Sequence, residues 1–84
     1  MIFRTKDPIN VTVFGAGYVG LVSAAGLAAI GHNVICIDVD QSRIERLMLG
    51  DIPFYEPGLI DLVTEFVRSG HLRFTTSSES ENAH

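Results

Sequence analysis

The sequence of 84 residues has little of several residue types, and each shortage excludes a class of protein. A single cysteine excludes an internal disulfide and any metal site built from several cysteines. Six basic residues against ten acidic ones leave no basic stripe for a nucleic-acid backbone. No apolar run approaches the roughly 18 residues that a membrane span needs, and the amino terminus lacks the pattern of a signal peptide. We therefore expect a cytoplasmic chain that binds neither nucleic acid nor membrane.

Apolar residues, by contrast, are plentiful and are arranged in short runs. They make up 46% of the chain, which is too high for a disordered segment. Runs rich in β-branched residues alternate with segments of helical periodicity, so the order β-α-β-α-α-β and a parallel sheet are predicted. We expect a lead-in over residues 1–8, part of a nucleotide-binding domain over 9–76 and a polar tail over 77–84. The predicted strands are 11–14, 34–37 and 72–76.

Glycines and capping residues predict where the helices between these strands begin and end. The first helix is predicted over 19–30, and the stripe Val19, Val22, Gly26 and Ile30 is expected to face the sheet. The second is expected to begin at a cap, Asp40 or Ser42, and to end at Gly50, with Ile44, Leu47 and Met48 on its apolar side. The third is expected to carry Pro57 in its first turn and to end at Gly70. Its apolar stripe is Leu59, Leu62, Val63, Phe66 and Val67.

The segment between the first strand and the first helix has the pattern G-x-G-x-x-G, with glycines at 15, 17 and 20. The pattern is weak alone, but here it follows an apolar strand and opens a helix, as dinucleotide-binding turns do. Gly15 would permit the tight turn, Gly17 would let the backbone approach a pyrophosphate, and Gly20 would let the helix pack on the strand. No lysine follows, which separates the pattern from a P-loop.

An acidic residue at the end of the second strand completes this pattern. Asp38 lies where a carboxylate accepts hydrogen bonds from the adenosine ribose hydroxyls, and its charge would repel a 2′-phosphate, so NAD is favoured over NADP. Arg43 could reach the adenosine side, although alone it would suggest a 2′-phosphate site or a solvated helix residue. Tyr18 could cover part of the cofactor or of a neighbouring domain, and Val19 is expected in the core.

Three other reactive side chains are expected to be structural. Cys36 lies within an apolar strand with no basic neighbour in sequence, which predicts an inert buried thiol. His32 and His71 are too far apart in sequence to form a metal site, and each follows a helix-ending glycine. We assign no catalytic residue and no metal ligand.

The stretch GAGYVGLVSAAGLAAIGHNVICIDVD, with IPFYEPGL at 52–59, resembles the amino-terminal part of the UDP-glucose/GDP-mannose dehydrogenase family, and particularly its branch that oxidises UDP-glucose. The resemblance implies NAD as cofactor, with contacts from Gly15, Ala16, Gly17, Tyr18, Val19, Gly20, Asp38 and Arg43. It also implies two-step oxidation of a sugar C6 hydroxyl with two NAD⁺. The family's catalytic cysteine, lysine and acidic residues and its nucleotide-sugar domain would lie downstream of this sequence.

The resemblance therefore implies the first βαβαβ half of a Rossmann-type α/β domain, a three-stranded parallel sheet in the order 3-2-1. Strand 1 would then be an exposed edge, open to self-association. We expect these 84 residues alone to be catalytically incomplete, as part of a longer enzyme. The alternatives are a small non-catalytic nucleotide-binding module, a truncated relic, or the branches that oxidise GDP-mannose or UDP-N-acetyl sugars.

Overall fold

The computed structural model describes residues 4–54 and 56–76. Within these residues three helices and three parallel strands follow one another in the predicted order, and the strands lie in the sheet order β1-β2-β3. The Rossmann-type half-sheet with order 3-2-1 is thereby confirmed. The elements are β1 (Asn10–Phe14), α1 (Tyr18–Ile30), β2 (Asn33–Ile37), α2 (Gln41–Met48), α3 (Leu59–Ser69) and β3 (Leu72–Thr75).

The core lies between the sheet and the helices. Strand side chains alternate between the two faces, and one face supplies the buried Val34 and Cys36 of β2 and the buried Leu72 and Phe74 of β3. Helices α1 and α3 contact each other and cover this face, with α1 against β2 and α3 against β3. A compact half-domain results, with β2 at its centre.

The face that α1 presents to the core differs from the predicted one. Val19 is 74% exposed, and Val22, Gly26 and Ile30 are exposed as well. Apolar residues surround this helix on nearly all sides, so several stripes have helical spacing and periodicity alone could not choose between them. The side chains that pack inward are mostly alanines, which let the helix axis come close to the sheet. The buried residues of α1 are Leu21, Ala24, Ala25, Ala28 and Ala29.

The two shorter helices follow the sequence pattern more closely. Asp40 caps α2, its side chain accepting a hydrogen bond from the Arg43 amide at 3.0 Å, so Asp40 rather than Ser42 is the cap. Met48 is 60% exposed, although we expected it on the apolar side. Helix α3 buries Leu59, Val63 and Phe66 of the predicted stripe and leaves Leu62 and Val67 half-buried. It begins at Leu59 after Gly58, so Pro57 precedes the helix instead of lying in its first turn.

Some expectations concern residues that the structure does not describe. The tail over 77–84, the first three residues of the lead-in and Tyr55 lie outside the described residues. Within 4–54 and 56–76, no helix is long and apolar enough to cross a membrane, and no group of three His, Cys, Asp or Glu side chains could hold a metal ion.

Candidate functional site

The glycine turn, residues 15–20, connects the carboxyl end of β1 to the amino end of α1. Gly15 has φ +94°, a conformation that L side chains rarely adopt, and its amide donates to the Ile37 carbonyl oxygen at 2.6 Å. This hydrogen bond ties the turn to the end of the neighbouring strand β2. The turn is therefore fixed at the carboxyl edge of the sheet, which is where parallel α/β sheets bind ligands.

Gly20 and Gly17 differ in the space around them. A Cβ on Gly20 would overlap the Gly15 carbonyl oxygen, so only glycine lets α1 begin this close to β1. A Cβ on Gly17 would meet nothing within 4 Å, so this side of the turn is open. The open side at Gly17 is the side from which a pyrophosphate could approach the backbone, as the sequence pattern predicts.

The amino end of α1 has free hydrogen-bond donors. Gly17 is the N-cap and offers no side-chain cap, and the first turn of α1 contains no acidic residue. The Leu21 amide donates to the Gly17 carbonyl oxygen at 2.8 Å, which leaves the three preceding helical amides without a partner inside the helix. Unpaired amides and the positive end of the helix dipole suit an anionic group such as pyrophosphate. These features fit the phosphates of a dinucleotide.

Asp38 joins the glycine turn to the end of β2. Its Oδ2 accepts hydrogen bonds from the Ala16 amide at 2.7 Å and from Arg43 Nη1 at 3.0 Å, and its Oδ1 accepts one from the Asp40 amide at 2.9 Å. The two backbone amides, and to a smaller degree Arg43, hold the pKa of this carboxyl below its ordinary value, although partial burial opposes them. Asp38 is therefore ionised at neutral pH while only 8% exposed.

The hydrogen bonds of Asp38 limit how it could receive a ribose. An ionised carboxylate offers about four acceptor positions, and protein donors already use three. One position on Oδ1 remains, and a second would open on Oδ2 if Arg43 moved. Because the side chain of Arg43 is 39% exposed, it has room to move.

Tyr18 and Val19 occupy the first turn of α1. Tyr18 is 45% exposed. Val19 is exposed as well, so our prediction that it lies in the core was wrong. The Tyr18 ring meets Phe54 edge-on with ring centroids 5.5 Å apart, and its hydroxyl donates to Glu56 Oε2 at 2.9 Å. The hydrogen bond and the charge of Glu56 raise the pKa of Tyr18. Phe54 and Glu56 were missed as neighbours of the site.

The three remaining reactive side chains, Cys36, His32 and His71, contact other parts of the fold. Cys36 is buried beneath the glycine turn, with Sγ 3.8 Å from the Gly15 carbonyl oxygen, and burial followed by the charge of Asp38 raises the pKa of its thiol to about 11. His32 accepts a hydrogen bond from the Ile9 amide at 3.1 Å. His71 packs edge-on against Phe66 with centroids 6.4 Å apart.

Residues 9–84 match the model of the UDP-glucose/GDP-mannose dehydrogenase family, NAD binding domain. The chain belongs to this family. It is 51% identical over 67 residues to UDP-glucose 6-dehydrogenase of Rhizobium meliloti, a match that covers 80% of this chain and 15% of that protein. The match to an NAD-binding domain shows NAD as the cofactor of this domain, as predicted.

Solved structures agree with this assignment. A UDP-glucose dehydrogenase from Pyrobaculum islandicum superposes with a TM-score of 0.81 at 40% identity, covering 95% of this chain and 18% of that one. A GDP-mannose dehydrogenase from Pseudomonas aeruginosa gives a TM-score of 0.75 at 39% identity, and the match covers 88% of this chain and 16% of that one. The chain thus spans about 15–18% of the length of these relatives, and its residues 9–84 match the NAD-binding domain of the family.

Proposed function

We propose that the chain is the amino-terminal cofactor-binding part of a UDP-glucose 6-dehydrogenase, within residues 9–76. Support for this branch comes from two relatives that carry this name at 51% and 50% identity, against 41% for the GDP-mannose 6-dehydrogenase of Azotobacter vinelandii. The parent enzyme would oxidise UDP-glucose to UDP-glucuronate with two NAD⁺. Nucleotide sugar would be bound by a downstream domain.

The observation that carries the proposal is the hydrogen bond from the Ala16 amide to Asp38 Oδ2 at 2.7 Å. It places the ionised carboxylate directly beside the glycine turn, so that one short site offers donors for phosphates and an acceptor for ribose. The amides at the amino end of α1 would bind the pyrophosphate, and the free position on Asp38 Oδ1 would accept a ribose hydroxyl. NAD held by these residues would supply the hydride acceptor for the family's reaction.

Selectivity for NAD over NADP would come from the same carboxylate. A 2′-phosphate would stand next to the ionised Asp38, which is held in its charged form by two backbone amides. Arg43 neutralises part of this charge through its ion pair at 3.0 Å, so it would be only partly available to a phosphate. We therefore assign Arg43 to the adenosine side of NAD, where its planar guanidinium can lie beside the ribose or base.

We propose no oxidation of sugar by these 84 residues alone. The single cysteine, Cys36, is buried and has a thiol pKa of about 11, so it does not supply a thiolate nucleophile at neutral pH. We propose a cytoplasmic location, with which the free thiol of Cys36 is consistent. Reduction of NAD⁺ by the purified chain in the presence of UDP-glucose would contradict the proposal.

We further propose that the chain can self-associate through β1. Within residues 4–54 and 56–76, β1 pairs with β2 alone, so its other edge offers unpaired backbone groups. Phe14 at the end of this strand is 74% exposed. Sedimentation velocity over a range of concentrations tests this, and a monomer at every concentration would contradict it.

Calorimetric titration of the chain with NAD and with AMP tests the cofactor assignment. If the site reads both the adenosine and the pyrophosphate, NAD binds more tightly than AMP, because NAD brings a second phosphate to the amino end of α1. Equal affinity for the two ligands would restrict the function to a module that reads the adenosine half. A folded sample that binds neither ligand would refute the proposal.

A further inference from the structure

One side chain at the phosphate end of the site, Tyr18, also contacts a second part of the chain. It is the first residue of α1, directly after the N-cap Gly17. Its ring contacts Phe54, and its hydroxyl donates to Glu56 Oε2 at 2.9 Å, although 38 residues separate the two partners. A carboxylate from the loop before α3 is therefore held at the hydroxyl of the first residue of α1.

This pair contributes little to the core. Tyr18 is 45% exposed and Glu56 is exposed, and hydrogen bonds between exposed side chains contribute little to stability. The ring of Tyr18 packs on Phe54, which lies against the core, but that packing does not require the hydrogen bond to Glu56. The position of the pair, at the first residue of α1, points instead to a role in ligand binding.

A free carboxylate beside a helix amino terminus would compete with an anionic ligand for the same donors. Carboxylates are stabilised by the unpaired amides and positive dipole end of a helix, as phosphates are. The first turn of α1 contains no acidic residue, which keeps its amides available. Glu56 is the carboxylate that the fold brings to Tyr18, and the phenol holds it at the far end of the side chain instead of at the backbone.

We propose that Tyr18 is a positioning residue that restrains Glu56 and so keeps the amino end of α1 open for the pyrophosphate of NAD. The proposal rests on the proposed function, since it assumes that NAD binds at the glycine turn. Loss of the hydroxyl would release the carboxylate to compete with the ligand. Loss of the charge would remove the competitor, whether or not the hydroxyl is present.

Four variants of the 84-residue chain separate this role from a purely structural one. Tyr18→Phe keeps the ring but removes the donor, Glu56→Gln keeps an acceptor but removes the charge, and the third variant combines both changes. Thr64→Val, which removes an exposed hydroxyl on α3, is the control. Affinity for NAD is measured by calorimetry, and folding is checked by circular dichroism and the urea midpoint.

We expect Tyr18→Phe to weaken NAD binding about threefold to tenfold, the size of a charge effect at a helix terminus. Glu56→Gln and the control should stay within about twofold of the original affinity, and the double variant should bind NAD more tightly than Tyr18→Phe alone. Urea midpoints should hardly change. This rescue is the result that a merely structural role would not give.

Three results would overturn the proposal. The first is unchanged NAD affinity in Tyr18→Phe, and the second is a double variant as weak as Tyr18→Phe. The third is weaker binding by Glu56→Gln, which remains decisive even if Tyr18→Phe does not fold. Failure of the unmodified chain to bind NAD would instead refute the proposed function, and the positioning role with it.

Discussion

The replacement Asp38→Asn should destabilise the fold, because two backbone amides share the Asp38 carboxylate. The carboxylate accepts from two backbone amides, those of Ala16 and Asp40, through different oxygens. An asparagine amide has one oxygen and one NH₂ group. Whichever of the two backbone amides faces the NH₂ group loses its acceptor.

The expected cost follows from the burial of these groups. Ala16 is fully buried, so an unsatisfied Ala16 amide would cost about 1–3 kcal/mol. If the asparagine oxygen turns to Ala16, the amide of the exposed Asp40 loses its acceptor instead, and the cost lies at the lower end of this range. The weakened bond from the partly exposed Arg43 adds about 0–1 kcal/mol, as for a screened surface ion pair. The sum of about 1–4 kcal/mol is large for a chain of this size, whose total stability is expected to be roughly 4–13 kcal/mol.

The stability that Asp38 contributes should also depend on pH. The pKa of Asp38 is lowered from 3.8 in the folded chain, because the amides of Ala16 and Asp40 bind the ionised form. A lowered pKa contributes stability that is complete above 3.8 and is lost as the pH falls through the folded value. The difference between the original chain and Asp38→Asn should therefore be greatest near neutral pH and shrink in acid below 3.8.

Urea unfolding followed by far-UV circular dichroism measures the loss of stability and its dependence on pH. Circular dichroism is used because the chain has no tryptophan for fluorescence. Asp51→Asn, at an exposed carboxylate, is the matched control and should change the free energy of unfolding by less than about 0.5 kcal/mol. A loss of less than about 0.5 kcal/mol for Asp38→Asn at neutral pH would refute the reasoning. So would a loss that stays constant into acid.

Three further predictions concern the glycine turn, the buried thiol and the ion pair. Gly20→Ala should destabilise by about 1–3 kcal/mol in urea unfolding, because its Cβ would overlap the Gly15 carbonyl oxygen. Gly26→Ala in the same helix, with nothing within 4 Å, should instead stabilise by about 0.5–1 kcal/mol, and the reverse order would contradict the model of helix packing. Cys36 should react with a thiol reagent at least about tenfold more slowly in the folded chain than in urea, given its pKa of about 11, and equal rates would contradict its burial. Arg43→Leu should weaken NAD binding in calorimetry by about threefold to tenfold, and unchanged affinity would remove Arg43 from the site.

The fold was predictable because strong local signals agree with the tertiary arrangement. Each strand is a short β-branched or apolar run bounded by polar residues or glycine, and the observed bounds differ from the predicted ones by one residue at most. The proximity of Asp38 to the glycine turn also follows from topology. Because Phe14 pairs with Ile37 in a parallel ladder, the residues that follow each strand meet at the same edge of the sheet.

Two features could not be predicted from the sequence. One depends on a contact between residues distant in sequence, and the other on a choice between several apolar stripes of the same helical spacing. The inward face of α1 is set by alanines such as Ala24 and Ala28, which a hydrophobicity pattern ranks below valine and isoleucine. The contact of Tyr18 with Glu56 depends on the path of the loop before α3, and no local periodicity encodes it. Both features are determined by the packing of the whole fold and not by the local sequence.

Parallel calorimetric titrations of the chain with NAD and NADP test the central assignment most directly. If the glycine turn and the ionised Asp38 form the adenosine half of an NAD site, NAD binds and NADP binds at least about tenfold more weakly, because its 2′-phosphate meets the carboxylate. Equal or tighter binding of NADP, or no binding of NAD by a folded sample, would contradict the assignment.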